Sequence, residues 1–249
     1  MCDLFRYVLI FSSCVFIVAS SVAFGQQTPP RMIPDDEARL WYSVAKLNVA
    51  GESWCNAVLI SKIEAVTAAH CLYSARMEKL ANAEDVKLEL GLRRNYRVSL
   101  IGVTAFSVLP KVSQNTRGER ILERFSSDLA LLRLDKPVSS DIAKPFAIRS
   151  WQTGESVTVI GYGGDRPYIP SAREHYVIMP LSETVAKLDC AISPGLSGAA
   201  VVGWSEIDAR PQLLGIISAN LIDRSNMESC GALVISISQR LEQLRSQLP

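Results

Sequence analysis

One imidazole, one carboxylate and one hydroxyl stand apart in this chain, each in an apolar or glycine-rich setting. His70 lies in Thr67-Ala68-Ala69-His70-Cys71, Asp128 in Ser127-Asp128-Leu129-Ala130-Leu131-Leu132, and Ser197 in Pro194-Gly195-Leu196-Ser197-Gly198. Together they are the inventory for acyl transfer. A serine hydroxyl is a poor nucleophile at neutral pH and needs a base within hydrogen-bond reach, and the base needs a partner that orients it. Alone, each residue has a plainer reading: a loop serine, a satisfied core histidine, an aspartate capping a strand. The three in order, with the small apolar run Ala199–Val202 after the serine, favour catalysis. The other histidine, His175, sits in the charged segment Arg173-Glu174-His175-Tyr176, and neither Asp135 nor Asp141 precedes a strand comparable to Leu129–Leu132. Gly195 and Ser197 would turn backbone N–H groups toward a developing oxyanion, glycine giving the chain the freedom to do so.

These groups need a rigid frame. From Trp41 onward the chain reads as short β-runs between turn signals: Ser43–Val49, Ala57–Ile60, Val86–Leu90, Tyr96–Ala105, Leu129–Leu132, Ser156–Ile160, Ala199–Val202, Leu213–Ser218 and Ala232–Ile237. Many alternate or are wholly apolar and rich in Val and Ile, the pattern of an all-β sandwich or of barrels. Ile237, Leu241, Leu244 and Leu248 fall at helical spacing, so a C-terminal helix is expected, capped by Ser236 or Ser238. A second helical stretch is expected near Ala75–Ala83.

With 249 residues the chain can bury a core without staples, and a formal charge of +1 gives no general basic field for nucleic acid. Tyr7–Phe24 is almost wholly apolar or small, follows Arg6, and ends in Ala23-Phe24-Gly25 before the polar Gln26-Gln27-Thr28-Pro29-Pro30. Residues 1–25 read as a secretory signal peptide, which places the mature protein outside the cell or in the periplasm with no stable membrane association. The run is near the shortest spanning length, so an uncleaved anchor is the alternative. Cys2 and Cys14 would leave with the leader. Cys55, Cys71, Cys190 and Cys230 remain, an even number in an exported chain, which implies disulfides and allows three pairings. A zinc site fails on spacing, since there is no CxxC and the chain holds two histidines. A P-loop, an HExxH motif and an EF-hand loop are also missing from the sequence.

The order His, Asp, Ser and the wording around the first two resemble the trypsin/chymotrypsin-like serine proteases. The resemblance extends to Ala57-Val58-Leu59-Ile60 before Val66–Cys71, to Leu134-Asp135-Lys136-Pro137-Val138, to Val159-Ile160-Gly161-Tyr162-Gly163 and to Leu214-Gly215-Ile216-Ile217-Ser218. It implies an all-β fold of two six-stranded antiparallel barrels with a C-terminal α-helix packing on the second barrel. It also implies disulfides Cys55–Cys71 and Cys190–Cys230, a polypeptide substrate and no cofactor. The expected organisation is a leader at 1–25, an extended segment at 26–38, a first barrel at 39–140, and a second barrel with the helix at 141–249. The resemblance places a specificity pocket beside Asp189, Ser218, Ala219 and Asn220. Asp189 is a candidate to attract a Lys or Arg side chain, or else a solvated turn carboxylate, and Asn220 narrows the pocket mouth. Leu196 stands where digestive and clotting relatives carry an aspartate that pairs with a newly cut N-terminal amine, so that activation switch is not expected here. The wording around Ser197 is closest to bacterial exported trypsin-like and glutamyl-endopeptidase-like members. The competing expectation is a catalytically silent homologue that binds proteins, suggested by Leu-Ser-Gly-Ala-Ala in place of Asp-Ser-Gly-Gly-Pro.

Overall fold

The computed structural model describes residues 29–73, 79–110, 119–189, 192–207, 209–222 and 229–249. A two-residue strand, β1 (Arg31–Met32), leads in, followed by two closed antiparallel barrels of six strands each. The first is built from β2 (Val44–Val49), β3 (Ser53–Leu59), β4 (Glu64–Thr67), β5 (Val86–Leu90), β6 (Ser99–Val108) and β7 (Ala130–Leu134), closed in the order β2-β3-β4-β7-β6-β5. The second contains β8 (Ser156–Gly161), β9 (Ser171–Pro180), β10 (Val185–Leu188), β11 (Ala200–Trp204), β12 (Pro211–Ile222) and β13 (Ser229–Ser236). Its strands run β9-β10-β13-β12-β11-β8, and β8 pairs with β9 to close the ring. The expected all-β double barrel is thus the observed fold.

Closure removes free sheet edges, and the side-chain period of two decides what each face covers. In β5, Val86, Leu88 and Leu90 are buried while Lys87 is exposed. β8 and β11 bury nearly every residue, because one face fills the second barrel and the other meets the first. Val157, Val159, Val201, Leu214 and Ile217 belong to the second core. Their neighbours Ile160, Ala200, Val202, Leu213 and Ile216 join the core that runs into the first barrel. The apolar seam between the barrels therefore fixes the walls of the cleft between them.

Sequence reading passes over β9 and β10 because β9 is rich in charge and is bulged. Glu174 and His175 oppose a single residue of β8, with His175 at φ +65°. The C-terminal helix, α2 (Leu241–Gln247), departs from expectation twice. Neither serine caps it: Ser236 ends β13, Ser238 bonds the Ser236 hydroxyl, and the helix opens after Arg240. It also packs chiefly on β6 and β7 of the first barrel, where packing on the second was expected. The Leu244 carbonyl accepts from Ser107, and Arg245 pairs with Glu64 at 2.8 Å. Of the helical expectation at Ala75–Ala83, residues 75–78 lie outside the described residues; the rest is not α-helical, with Leu80 in a β-bridge to Tyr73 and Ala83 opening a single 3-10 turn, Ala83–Asp85. One helix the sequence did not announce, α1 (Glu119–Ser126), precedes Asp128.

Candidate active site

The β3–β4 hairpin delivers His70. β4 ends at Thr67, and the chain tightens into a single 3-10 turn, Ala69–Leu72. A turn this short has little stability of its own. Cys71 anchors it to Cys55 on β3 through a disulfide. Cys190 of the expected Cys190–Cys230 pair lies outside the described residues. Asp128 follows α1, with its N–H bonded to the Phe125 carbonyl at 2.9 Å, and then enters β7. Ser197 sits in the turn that enters β11.

These three elements bring the three side chains into one line. The Ser197 Oγ is 2.9 Å from His70 Nε2, and His70 Nδ1 is 2.8 Å from Asp128 Oδ2. Asp128 Oδ1 also accepts the His70 backbone N–H at 2.8 Å, and the Ser218 hydroxyl donates to Asp128 Oδ2. An ionised carboxylate only accepts, so the His70 proton sits on Nδ1 and leaves Nε2 free to receive the serine proton. Three donors converge on one carboxylate that is 15% exposed, which holds both Asp128 and the ring in a single orientation. Burial pushes the His70 pKa down, but the hydrogen bond and charge of Asp128 outweigh it, and the net shift is upward.

The backbone around Ser197 is fixed from behind. Four successive carbonyls accept bonds. Pro194 O takes the Gly164 N–H at 2.7 Å, and Gly195 O takes Asn56 Nδ2 at 3.0 Å. Leu196 O takes the Ala199 N–H at 2.9 Å, and Ser197 O takes the Asn56 N–H at 2.8 Å. The described residues contain no cis peptide, and in a trans peptide the N–H points opposite the C=O. Pinning the carbonyls of Pro194 and Leu196 therefore turns the N–H groups of Gly195 and Ser197 the other way. Gly195 has φ +88°, and a Cβ there would lie 2.6 Å from the Trp54 ring, so only glycine fits.

Asn56 is the residue that sequence reading missed. It is wholly buried on β3 of the first barrel, yet its side chain serves the second. Its Oδ1 accepts the Tyr162 N–H at 2.7 Å, and Nδ2 reaches the carbonyls of Tyr162, Gly195 and Ser197. The signal was a lone amide in the otherwise apolar stretch Cys55-Asn56-Ala57-Val58-Leu59-Ile60: a polar group buried in a strand must have partners.

The residues expected at the specificity pocket are placed as follows. Ser218 is buried on β12 with its hydroxyl on Asp128. Ala219 follows at an irregularity in the β12–β13 register. Asn220 grips the backbone of Ile192 at both ends, accepting its N–H at 3.1 Å and donating to its carbonyl at 2.8 Å. Asp189 is exposed, and its Oδ1 accepts the Val177 N–H at 2.9 Å, which ties it to β9. Leu196 is fully buried in the second core. Among the described residues, one cluster, Cys55, His70 and Cys71, has the donor atoms for a metal, but both sulfurs are joined to each other.

Two closed six-stranded barrels, with a hydroxyl, an imidazole and a carboxylate aligned between them, define a chymotrypsin-like architecture. The family model described as Trypsin matches residues 35–223, most of the chain, and the chain belongs to the trypsin family. It is a serine-type endopeptidase.

Proposed function

We propose that the protein is an exported endopeptidase that cleaves polypeptides through an acyl-enzyme formed on Ser197. The observation that carries this reading is the continuous line from Ser197 Oγ through His70 to Asp128, with both spacings below 3 Å. His70 Nε2 takes the hydroxyl proton as Oγ bonds to the scissile carbonyl carbon. The oxygen that becomes negative faces the N–H groups of Gly195 and Ser197, and each such donor is worth about two to three powers of ten in rate. The C–N bond then breaks, and the amine leaves with the proton from His70. Water repeats the sequence on the acyl group and regenerates the hydroxyl. Asp128 keeps the ring in the productive tautomer and stabilises its protonated form. Export is supported by the apolar leader of the sequence and by a disulfide at Cys55–Cys71, which persists in oxidising compartments. Among the described residues, no helix is long and apolar enough to cross a membrane.

The test is labelling of the purified, disulfide-bonded protein with a fluorophosphonate probe beside Ser197→Ala. Labelling is expected in the first and lost in the second. A folded wild type that stays unlabelled would overturn the reading in favour of a silent homologue that binds proteins.

A further inference from the structure

The support behind the oxyanion loop leads to a second buried polar residue, Arg173. It is 2% exposed, on the inner side of the β9 bulge. Its Nη2 donates to both oxygens of Asp165, at 3.1 and 3.3 Å, and to Ser193 Oγ at 2.9 Å. Asp165 belongs to the turn Gly163–Arg166, closed by the bond from Arg166 N–H to Gly163 O at 2.9 Å. That turn presents the Gly164 N–H to Pro194 O, and Ser193 immediately precedes Pro194. One guanidinium thus holds both partners of the bond that sets the Pro194–Gly195 peptide plane. The turn is fitted to this role. A Cβ on Gly163 would collide with the Asp165 carboxylate, and one on Gly164 would press on Pro194 O at 3.0 Å.

A buried guanidinium is an expensive way to fill space. Nη1 has no partner among the described residues, and an apolar side chain of similar volume would pack there at lower cost. The same region accounts for the N-terminal arm. Ile33 N–H bonds Pro170 O at 3.2 Å, β1 pairs with Ala172 and Ser171, and Arg166 Nη1 bonds Pro30 O at 3.1 Å. Arg31 is held by Glu37 and Glu174, each at 2.7 Å, and Ile33 is fully buried. The arm is docked on β9 and on Arg166, and none of these contacts involves Ser193 or Pro194.

We infer that Arg173 is a positioning residue for the oxyanion hole, an internal cation that clamps the Gly163–Arg166 turn to Ser193 and so aims the Gly195 N–H into the cleft. The inference rests on the acyl-transfer reading above. In it, Arg173 touches no substrate and acts only through the orientation of the Pro194–Gly195 peptide.

Four variants of the full chain test it: Arg173→Met, Arg173→Lys, Asp165→Asn and Ser193→Ala. Each is measured for kcat and KM on a peptide substrate and for affinity toward a peptidyl boronate, which mimics the tetrahedral state. Arg173→Met should lower kcat about 10- to 100-fold with KM within about twofold, because a displaced donor loses transition-state rather than ground-state binding. Boronate affinity should fall in parallel. Arg173→Lys, Asp165→Asn and Ser193→Ala should each fall between Met and wild type, about 3- to 10-fold down in kcat. Hydrogen exchange supplies a readout independent of turnover: protection across residues 193–197 should drop in Arg173→Met while that around His70 and Asp128 holds. Unchanged kcat and unchanged exchange in folded Arg173→Met, or a rise in KM alone, would overturn the inference. If the wild type neither turns over substrate nor labels, the protease reading falls, and the exchange result still decides whether Arg173 orders the loop.

Discussion

The two sides of the cleft are secured by different chemistry. On the first barrel, His70 rides a single turn anchored by a disulfide, and its ring is steered by one carboxylate. On the second, Ser197 and Gly195 sit in a loop whose successive carbonyls are bonded to Gly164, Asn56 and Ala199. The contrast follows from what each side must do. A base must accept and return a proton, so its ring needs a fixed axis and one open nitrogen, and two strong bonds to Asp128 provide the axis. An oxyanion hole works through the direction of peptide planes. Apolar packing sets the distance between strands but not the rotation of a peptide between them, so that side needs buried polar struts. Asn56 crosses from one barrel to the other to supply them, and Arg173 supports them from behind.

The largest expected effect breaks the base side. Asp128→Asn keeps an oxygen for the His70 backbone N–H but places an amide donor against Nδ1, favouring the wrong tautomer. A drop of about 10⁴-fold in kcat is expected, with the fold intact. The pH profile adds a second reading. His70 must be neutral to act, so activity is lost as pH falls through its pKa. In wild type Asp128 raises that pKa against the downward push of burial. Without the carboxylate the push of burial remains, so residual activity should persist to lower pH. An acid limb that stays where it is in wild type would show that Asp128 does not set the charge state of His70.

The next effect contrasts the struts on the two sides. Asn56→Ala leaves the buried Tyr162 N–H and the carbonyls it served without the side-chain partner, at about 1–3 kcal/mol for each group left unsatisfied. Replacing Cys55 and Cys71 by alanine removes a cross-link across 16 positions, worth about 3 kcal/mol. Both variants should melt earlier. They should differ in kinetics at a temperature where both are folded. Asn56→Ala should lose kcat about 10- to 100-fold, because it frees the Gly195 carbonyl and so loosens the peptide lying between the two whose N–H groups belong to Gly195 and Ser197. The cysteine variant should keep kcat within a few-fold, since Asp128 still steers the ring. Equal kinetic losses would mean that the two sides are not held independently.

This contrast also marks how far the sequence could be read. The Ser197, His70 and Asp128 that the structure aligns, the runs that became barrel strands, and Gly195 as a required glycine were legible because each depends on local spacing or on a residue with special backbone freedom. β9 was hidden by its own bulge. The bulge at Glu174–His175 breaks alternation and sends Arg173 inward, so Ser171-Ala172-Arg173-Glu174-His175 reads as a charged surface segment. The packing of α2 on the first barrel was also hidden, because helical spacing fixes which residues face inward but not which barrel receives them. The bond from the Val177 N–H to Asp189 was hidden for the same reason, since it depends on a strand the sequence did not announce.

The smallest effect sharpens the comparison at the point where the two barrels share a residue's work. Ser218 lies on β12 of the second barrel, but its hydroxyl donates to Asp128, which enters the first. In Ser218→Ala, Asp128 keeps both His70 N–H bonds and loses one donor that disperses its charge. The expected loss in kcat/KM is small, about 2- to 10-fold, in line with about 0.5–1.5 kcal/mol for a single hydrogen bond. The sign of the pH shift is more telling than its size. With less of its charge drawn toward Ser218, Asp128 pulls harder on the His70 proton, the His70 pKa rises further, and the acid limb of kcat/KM moves to higher pH. That is opposite to the direction expected for Asp128→Asn. A limb that moves down, or that does not move while kcat/KM falls, would mean that Ser218 acts on the substrate side of the cleft rather than through the carboxylate.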